Sequence, residues 1–273
     1  MKKLLSVFLI LFFITGCNQE KQIEKVVIKT KVIEQQHSGV EKKQGEKIEP
    51  VIPAINPSDK LPLTGKGQLI VIDAGHQRYG NNEQEPIGPG ATKMKAKVTS
   101  GATGIATGRL ESQINLEVAL KLKEKLEDSG YRVIMVRTNQ NVDISNSERA
   151  KIANENNADA FIRLHCNSDD SSNTRGALTI APSNNNRFCS QISDASQLLS
   201  KYVLDNICDI TKAKNRGVMI NDTMSGINWC QVPVTIVEMG FISNSEEDNL
   251  LSNNDYQNKI AIGIVKGINE FMN

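Results

Sequence analysis

The sequence predicts an α/β domain, a mostly parallel twisted sheet with helices on both faces, and three observations carry the prediction. Strand-like and helix-like segments alternate almost throughout residues 68–273. Leu69-Ile70-Val71-Ile72 is a continuous apolar run between Gly67 and Gly75, the pattern of a central strand buried on both faces. Leu110, Ile114, Val118, Leu122 and Leu126 recur every four residues, with Leu116, Ala119 and Leu120 widening the stripe, which marks an amphipathic helix.

The elements follow in order. After the strand at 68–73, residues 77–108 are dense in Gly, Asn, Thr and Pro and show no apolar period. A loop of that length inside a compact domain is usually functional, so it is expected over the cleft, as a lid or a specificity loop. The helix from 110 stops at Gly130, and a strand is expected over 131–136. Ser145-Asn146-Ser147-Glu148 has the spacing of a capping box and starts a helix to about 157, ahead of a strand at 160–164. A strand at 176–180, a helix at 192–210, a strand at 232–237, an acid-rich helix start at 244–248 and a closing helix at 255–272 complete the domain. No internal repeat is visible.

Upstream, the composition changes. Met1-Lys2-Lys3 and the apolar run at 4–14 form a positive start and a core too short for a bilayer, which needs about 20 residues, so residues 1–16 read as a secretion signal. Ile14-Thr15-Gly16-Cys17 resembles the lipobox of bacterial lipoproteins, which implies acylation of Cys17 and a membrane anchor without a transmembrane helix. Residues 18–67 contain no Phe, Trp or Tyr, and 17–67 reads as a solvated tether with a root-mean-square span of roughly 40 Å. The catalytic part is then a single domain, 68–273.

Hydrophobic content of 39% and charged content of 23% are ordinary for a globular protein. A net charge of +1 argues against nucleic acid as a partner, which calls for a basic stripe. Besides Cys17 there are Cys166, Cys189, Cys208 and Cys230, which an exported protein could pair or keep as buried thiols. No CxxC spacing points to a structural zinc site.

Two of the three histidines, His76 and His165, close expected strands, and a third strand ends on Glu238. Strand carboxyl ends of an α/β sheet line one crevice, so these residues can meet there. Catalytic zinc takes three protein ligands, two His and one Glu among the known sets, and His76, Glu111 and His165 fit that set. Each also has a plainer reading: a loop histidine, a first-turn Glu favouring a helix N-terminus, a paired carboxylate. Asp73 is placed to orient His76 by a hydrogen bond, or to bind metal directly. Arg216 could reach substrate carboxylates or lie solvated, and Asn167 and Asn244 could line the cleft or form turns and caps.

Ile72-Asp73-Ala74-Gly75-His76, Thr107-Gly108-Arg109-Leu110-Glu111 with Asn115-Leu116, Leu164-His165-Cys166-Asn167 preceded by 149–154, and Val237-Glu238-Met239-Gly240-Phe241-Ile242-Ser243-Asn244 resemble, in order, the motifs of the bacterial zinc-dependent N-acetylmuramoyl-L-alanine amidases. The resemblance implies Zn2+ held by His76, Glu111 and His165, Glu238 as catalytic carboxylate, and peptidoglycan as substrate on the extracytoplasmic face of a bacterial membrane. The chain departs from the family's shorter turn after His76, and the longer loop brings Glu83 and Glu85 as possible competitors for the metal. A zinc peptidase acting within the stem peptide and a non-catalytic wall-binding lipoprotein remain alternatives. A cysteine hydrolase built on Cys166 is disfavoured, because neighbouring His165 points to the opposite side of the strand.

Overall fold

The computed structural model describes residues 64–273; the expected signal sequence, Cys17 and the tether up to residue 63 lie outside the described residues. In chain order the elements are β1 (Leu69–Ala74), β2 (Asn81–Pro86), β3 (Met94–Val98), α1 (Glu111–Asp128), β4 (Arg132–Met135), α2 (Asn146–Glu155), β5 (Ala160–Asn167), β6 (Ala177–Ala181), α3 (Ser193–Thr211), β7 (Asn215–Ile220), α4 (Ser225–Asn228), β8 (Val234–Phe241), α5 (Ser245–Leu251) and α6 (Asn254–Met272). Six strands form one sheet in the order β4-β1-β5-β8-β6-β7.

β1 pairs in parallel with β4 and β5, and β5 with β8. The sheet is mostly parallel, as expected, but β6 runs antiparallel to β8 and carries β7 parallel to itself. No helix lies between β5 and β6, and a parallel return needs a crossover of a dozen or more residues, so the chain turns back.

Alternate strand residues feed two cores. Ile70, Ile72, Ile162, Leu164 and Val237 pack with α1, α3 and α6. Val71, Phe161, Val234 and Ile236 pack on the other side with Ala150 and Ala153 of α2 and Ile227 of α4. The stripe of α1 behaves as its period requires: Ile114, Val118, Leu122 and Leu126 are fully buried, each worth about 1.5–3 kcal/mol. The capping box of α2 is reciprocal, with Glu148 N–H donating to Ser145 Oγ (3.2 Å) and Ser145 N–H to Glu148 Oε2 (2.7 Å).

Residues 77–108 correct the expectation of an unstructured loop, because β2 and β3 form an antiparallel hairpin there. Each strand buries one side chain, Glu85 and Val98, so no apolar alternation marks it in the sequence. Glu85 accepts from Ser147 Oγ (2.6 Å) at the start of α2, and Trp229 Nε1 donates to Pro86 O (2.9 Å). Lys95 Nζ reaches Thr223 O (3.0 Å). β7 and α4 were also not expected: β7 is an edge strand with no buried residue, and α4 is too short to show a period. The four cysteines of the described residues are free thiols. Among the described residues, no helix is long and apolar enough to cross a membrane.

Candidate active site

At the end of β1 the chain turns through Gly75 into His76, whose φ of 59° is left-handed. A residue with a side chain adopts that conformation rarely, and such residues cluster at functional sites. His76 Nδ1 lies 2.8 Å from Thr99 O. A carbonyl only accepts, so this contact places a ring proton on Nδ1. Nε2 faces Glu111 Oε1 at 3.1 Å.

His165 approaches the same Glu111 oxygen through Nδ1, at 3.2 Å. Its Nε2 is buried without a partner, and a Cβ at Gly75 would fall 2.3 Å from it. Residue 75 is therefore glycine because the imidazole lies against its backbone. Burial, with the charge of His76 adding to it, brings His165 down to about 4, so this ring is neutral at pH 7.

Glu111 opens α1, where the positive helix end favours a carboxylate. Ala102 N–H donates to Oε2 (2.9 Å) and Cys166 N–H to Oε1 (3.1 Å), while Asn115 Nδ2 bridges Gly75 O (3.2 Å) and Glu111 Oε1 (3.4 Å). Burial alone would raise the Glu111 carboxyl. Hydrogen bonds and charge from His165 and His76 outweigh it and hold the group well below the usual carboxylate range. The backbone around Ala102 is itself fixed by Asp248, which accepts from Ala106 N–H (2.7 Å), Thr107 N–H (2.8 Å) and Thr107 Oγ1 (2.8 Å).

One ligand atom from each of His76, Glu111 and His165 thus lies within 4.8 Å of the others. Since Thr99 O engages Nδ1 of His76, Nε2 is the ring atom turned toward the Glu111 oxygen and available as a ligand. Two imidazoles and one carboxylate, with one ring anchored through its other nitrogen to a carbonyl, is a donor set that fits a divalent metal.

Glu238 stands in register beside His165 on β8, half-buried. It lies with His76, His165, Arg163, Lys95 and Met224 around a cleft of about 400 Å³. Burial first, and the Glu111 charge second, push its carboxyl up to about 8. That range suits a group that takes and returns a proton near neutral pH.

Other expected site residues have different places. Asp73 neither touches His76 nor joins the cluster; it pairs with Arg149 (2.6 Å) and Arg163 (2.9 Å) in the interior. Its register partner across the sheet is Arg163, and that neighbour, not the chain neighbour His76, claims it. Glu83 pairs with Lys97 (2.6 Å) and Glu85 caps α2, so neither competes for the cluster. Arg216 is exposed, with its guanidinium 5.2 Å from the Phe241 ring centre. Asn167 accepts from Ser168 N–H (2.8 Å), and Asn244 caps α5. Cys166 faces the core, and burial raises its thiol well above the usual range, which removes it as a nucleophile. Thr99 and Asp248, which position the cluster, went unread: a carbonyl contact carries no side-chain signal, and Asp248 acts from far along the chain.

An α/β catalytic domain with a cation-ready His–Glu–His cluster beside a half-buried carboxylate is the class that this fold and site define. Comparison with known proteins narrows it. The chain belongs to the N-acetylmuramoyl-L-alanine amidase family, whose model matches residues 70–270. The uncharacterized protein YqiI of Bacillus subtilis is 31% identical over 211 residues, covering 76% of this chain and 85% of its own. The germination-specific N-acetylmuramoyl-L-alanine amidase of Bacillus subtilis is 26% identical over 228 residues, covering 76% and 80%. The catalytic domain of CwlV, an N-acetylmuramoyl-L-alanine amidase from Bacillus (Paenibacillus) polymyxa, superposes with a TM-score of 0.60 at 27% identity, covering 75% of this chain and 97% of that one.

Proposed function

We propose that this amidase is zinc-dependent and cuts the amide between the lactyl group of N-acetylmuramic acid and L-alanine in peptidoglycan. His76, Glu111 and His165 hold the metal, and Glu238 is the catalytic carboxylate. The observation that carries this reading is the convergence of two imidazole nitrogens on one buried carboxylate oxygen, with a second carboxylate in register beside them. Family membership supplies the bond and the substrate.

An amide is a poor electrophile with a poor leaving group. Zinc in the cluster supplies Lewis acidity to a carbonyl oxygen and to a water. Glu238 takes the proton of the attacking water and returns it to the departing amine, so one carboxylate serves both halves of the reaction. Thr99 O fixes the tautomer of His76, and Asn115 with the Ala102 and Cys166 amides fixes the carboxylate of Glu111.

We further infer that the chain is exported and held by lipid on Cys17 at the extracytoplasmic face of a bacterial membrane, with 17–67 as a tether to the wall. The signal-like start and the lipobox-like residues support this. The metal reading is tested by dialysing the full chain against a chelator and restoring zinc. Release of peptide amino groups from purified peptidoglycan should vanish and return, with about one zinc per chain in the active sample; activity that survives complete metal removal overturns it.

A further inference from the structure

Arg163 is 3% exposed, yet it lines the cleft. It precedes His165 by two residues on β5, so both point to one face of the sheet, about 6.6 Å apart along the strand. Its Nε donates to Asp73 Oδ2 (3.0 Å) and its Nη2 to Asn146 Oδ1 (2.9 Å), and Nη2 also lies in ion-pair contact with Asp73 Oδ2 (2.9 Å). The Phe161 ring centre lies 5.7 Å from the guanidinium carbon. None of these hydrogen bonds uses Nη1. That amino group lies over Gly226 in the cleft wall, where a Cβ would fall 1.5 Å from it.

Charge is unbalanced here in a direction that matters. Arg137, Arg149 and Arg163 are all buried, and among the described residues Asp73 is the one carboxylate paired with any of them. Arg137 uses its donors on the carbonyls of Ala74, Gly75, Ser112 and Asn139. Arg149 uses its own on Asp73, Gln77 and three carbonyls. Of the three, Arg163 lines the cleft and keeps an amino group unengaged. A guanidinium clamped on two edges and presenting the third is organised in advance for an anionic oxygen.

We propose that Arg163 Nη1 is a specificity-determining group that receives a carboxylate of the stem peptide, on the second residue from the scissile amide. The rise of about 6.6 Å along β5 between Arg163 and His165 equals the span of two residues of extended peptide, which is why the second residue is assigned. The inference rests on the amidase reading for the identity of the ligand.

The test uses two muramoyl dipeptides that differ in one group, the second-residue α-carboxylate free or as carboxamide. Calorimetry measures their affinities for the zinc-free full chain, wild type and Arg163→Lys. The wild type should prefer the free acid by about tenfold to a hundredfold, the usual worth of a charge-assisted hydrogen bond. In Arg163→Lys the planar fork is lost, and the ratio of free-acid to amide affinity should fall to about twofold or less. Equal affinities in the wild type, no binding of either at millimolar concentration, or a preference kept by a folded Arg163→Lys overturns the proposal. The wild-type comparison stands even if the variant does not fold. Hydrolysis of the same dipeptides by zinc-loaded protein reads the amidase assignment separately: cleavage without preference sinks Arg163 alone, and preference without cleavage sinks the amidase reading alone.

Discussion

Burial sets the behaviour of Glu238 before any cation is present. In zinc-free protein its folded value of about 8 lies above the unfolded value of 4.5, so the folded state binds more protons between them. Stability from this group therefore falls as pH rises from about 4.5 to about 8, by up to about 1.4 kcal/mol for each pH unit, and is level on either side. Zinc-free Glu238→Gln should melt higher than wild type at pH 8 and converge with it near pH 4; parallel curves would show that the carboxyl is not desolvated. The same variant, zinc-loaded, should bind the metal normally and lose at least about a hundredfold in kcat, the usual scale of acid–base catalysis. Gly75→Ala drives a methyl group into the His165 ring, and we expect zinc affinity to drop tenfold or more by competition titration; unchanged affinity would remove the packing argument. His76, Glu111, His165 and Glu238 were legible because strand ends and a helix start point into one crevice. Asp73 was misassigned because adjacency in sequence hid its partner across the sheet.

At the scale of elements, the β2–β3 hairpin forms one wall of the cleft and leans on α2 and the start of α4 through polar contacts rather than a core. Glu85 is its main buried anchor. Glu85→Ala removes a carboxylate from the positive end of α2 together with the Ser147 hydrogen bond, and should cost about 1–3 kcal/mol in urea unfolding. A loss below about 0.3 kcal/mol would mean that the hairpin is held elsewhere. The same polar attachment explains why the hairpin is illegible, while α1 is legible nearly to its ends because Ile114, Val118, Leu122 and Leu126 are buried, although Leu120 at the edge of its stripe is exposed. The edge strand β7 left no trace for the same reason: nothing on it is buried.

For the whole molecule, the sheet and its two cores were readable because buried strands and amphipathic helices leave periods that side-chain burial enforces. The reversed β6–β7 edge was not, since strand direction depends on how a connection runs rather than on its composition. The proposed lipid anchor is tested on the entire chain. Cys17→Ser should move the protein from the membrane to the soluble fraction while leaving hydrolysis of isolated peptidoglycan within about twofold, and membrane retention by the variant would remove the lipid anchor from the account. The bond that is cut is read by mass spectrometry of purified peptidoglycan digested by the zinc-loaded full chain. We expect muramic acid with a free lactyl carboxylate together with peptides beginning at L-alanine, both missing after chelation and with Glu238→Gln. Fragments cut within the stem peptide, with the lactyl amide intact, would contradict this expectation.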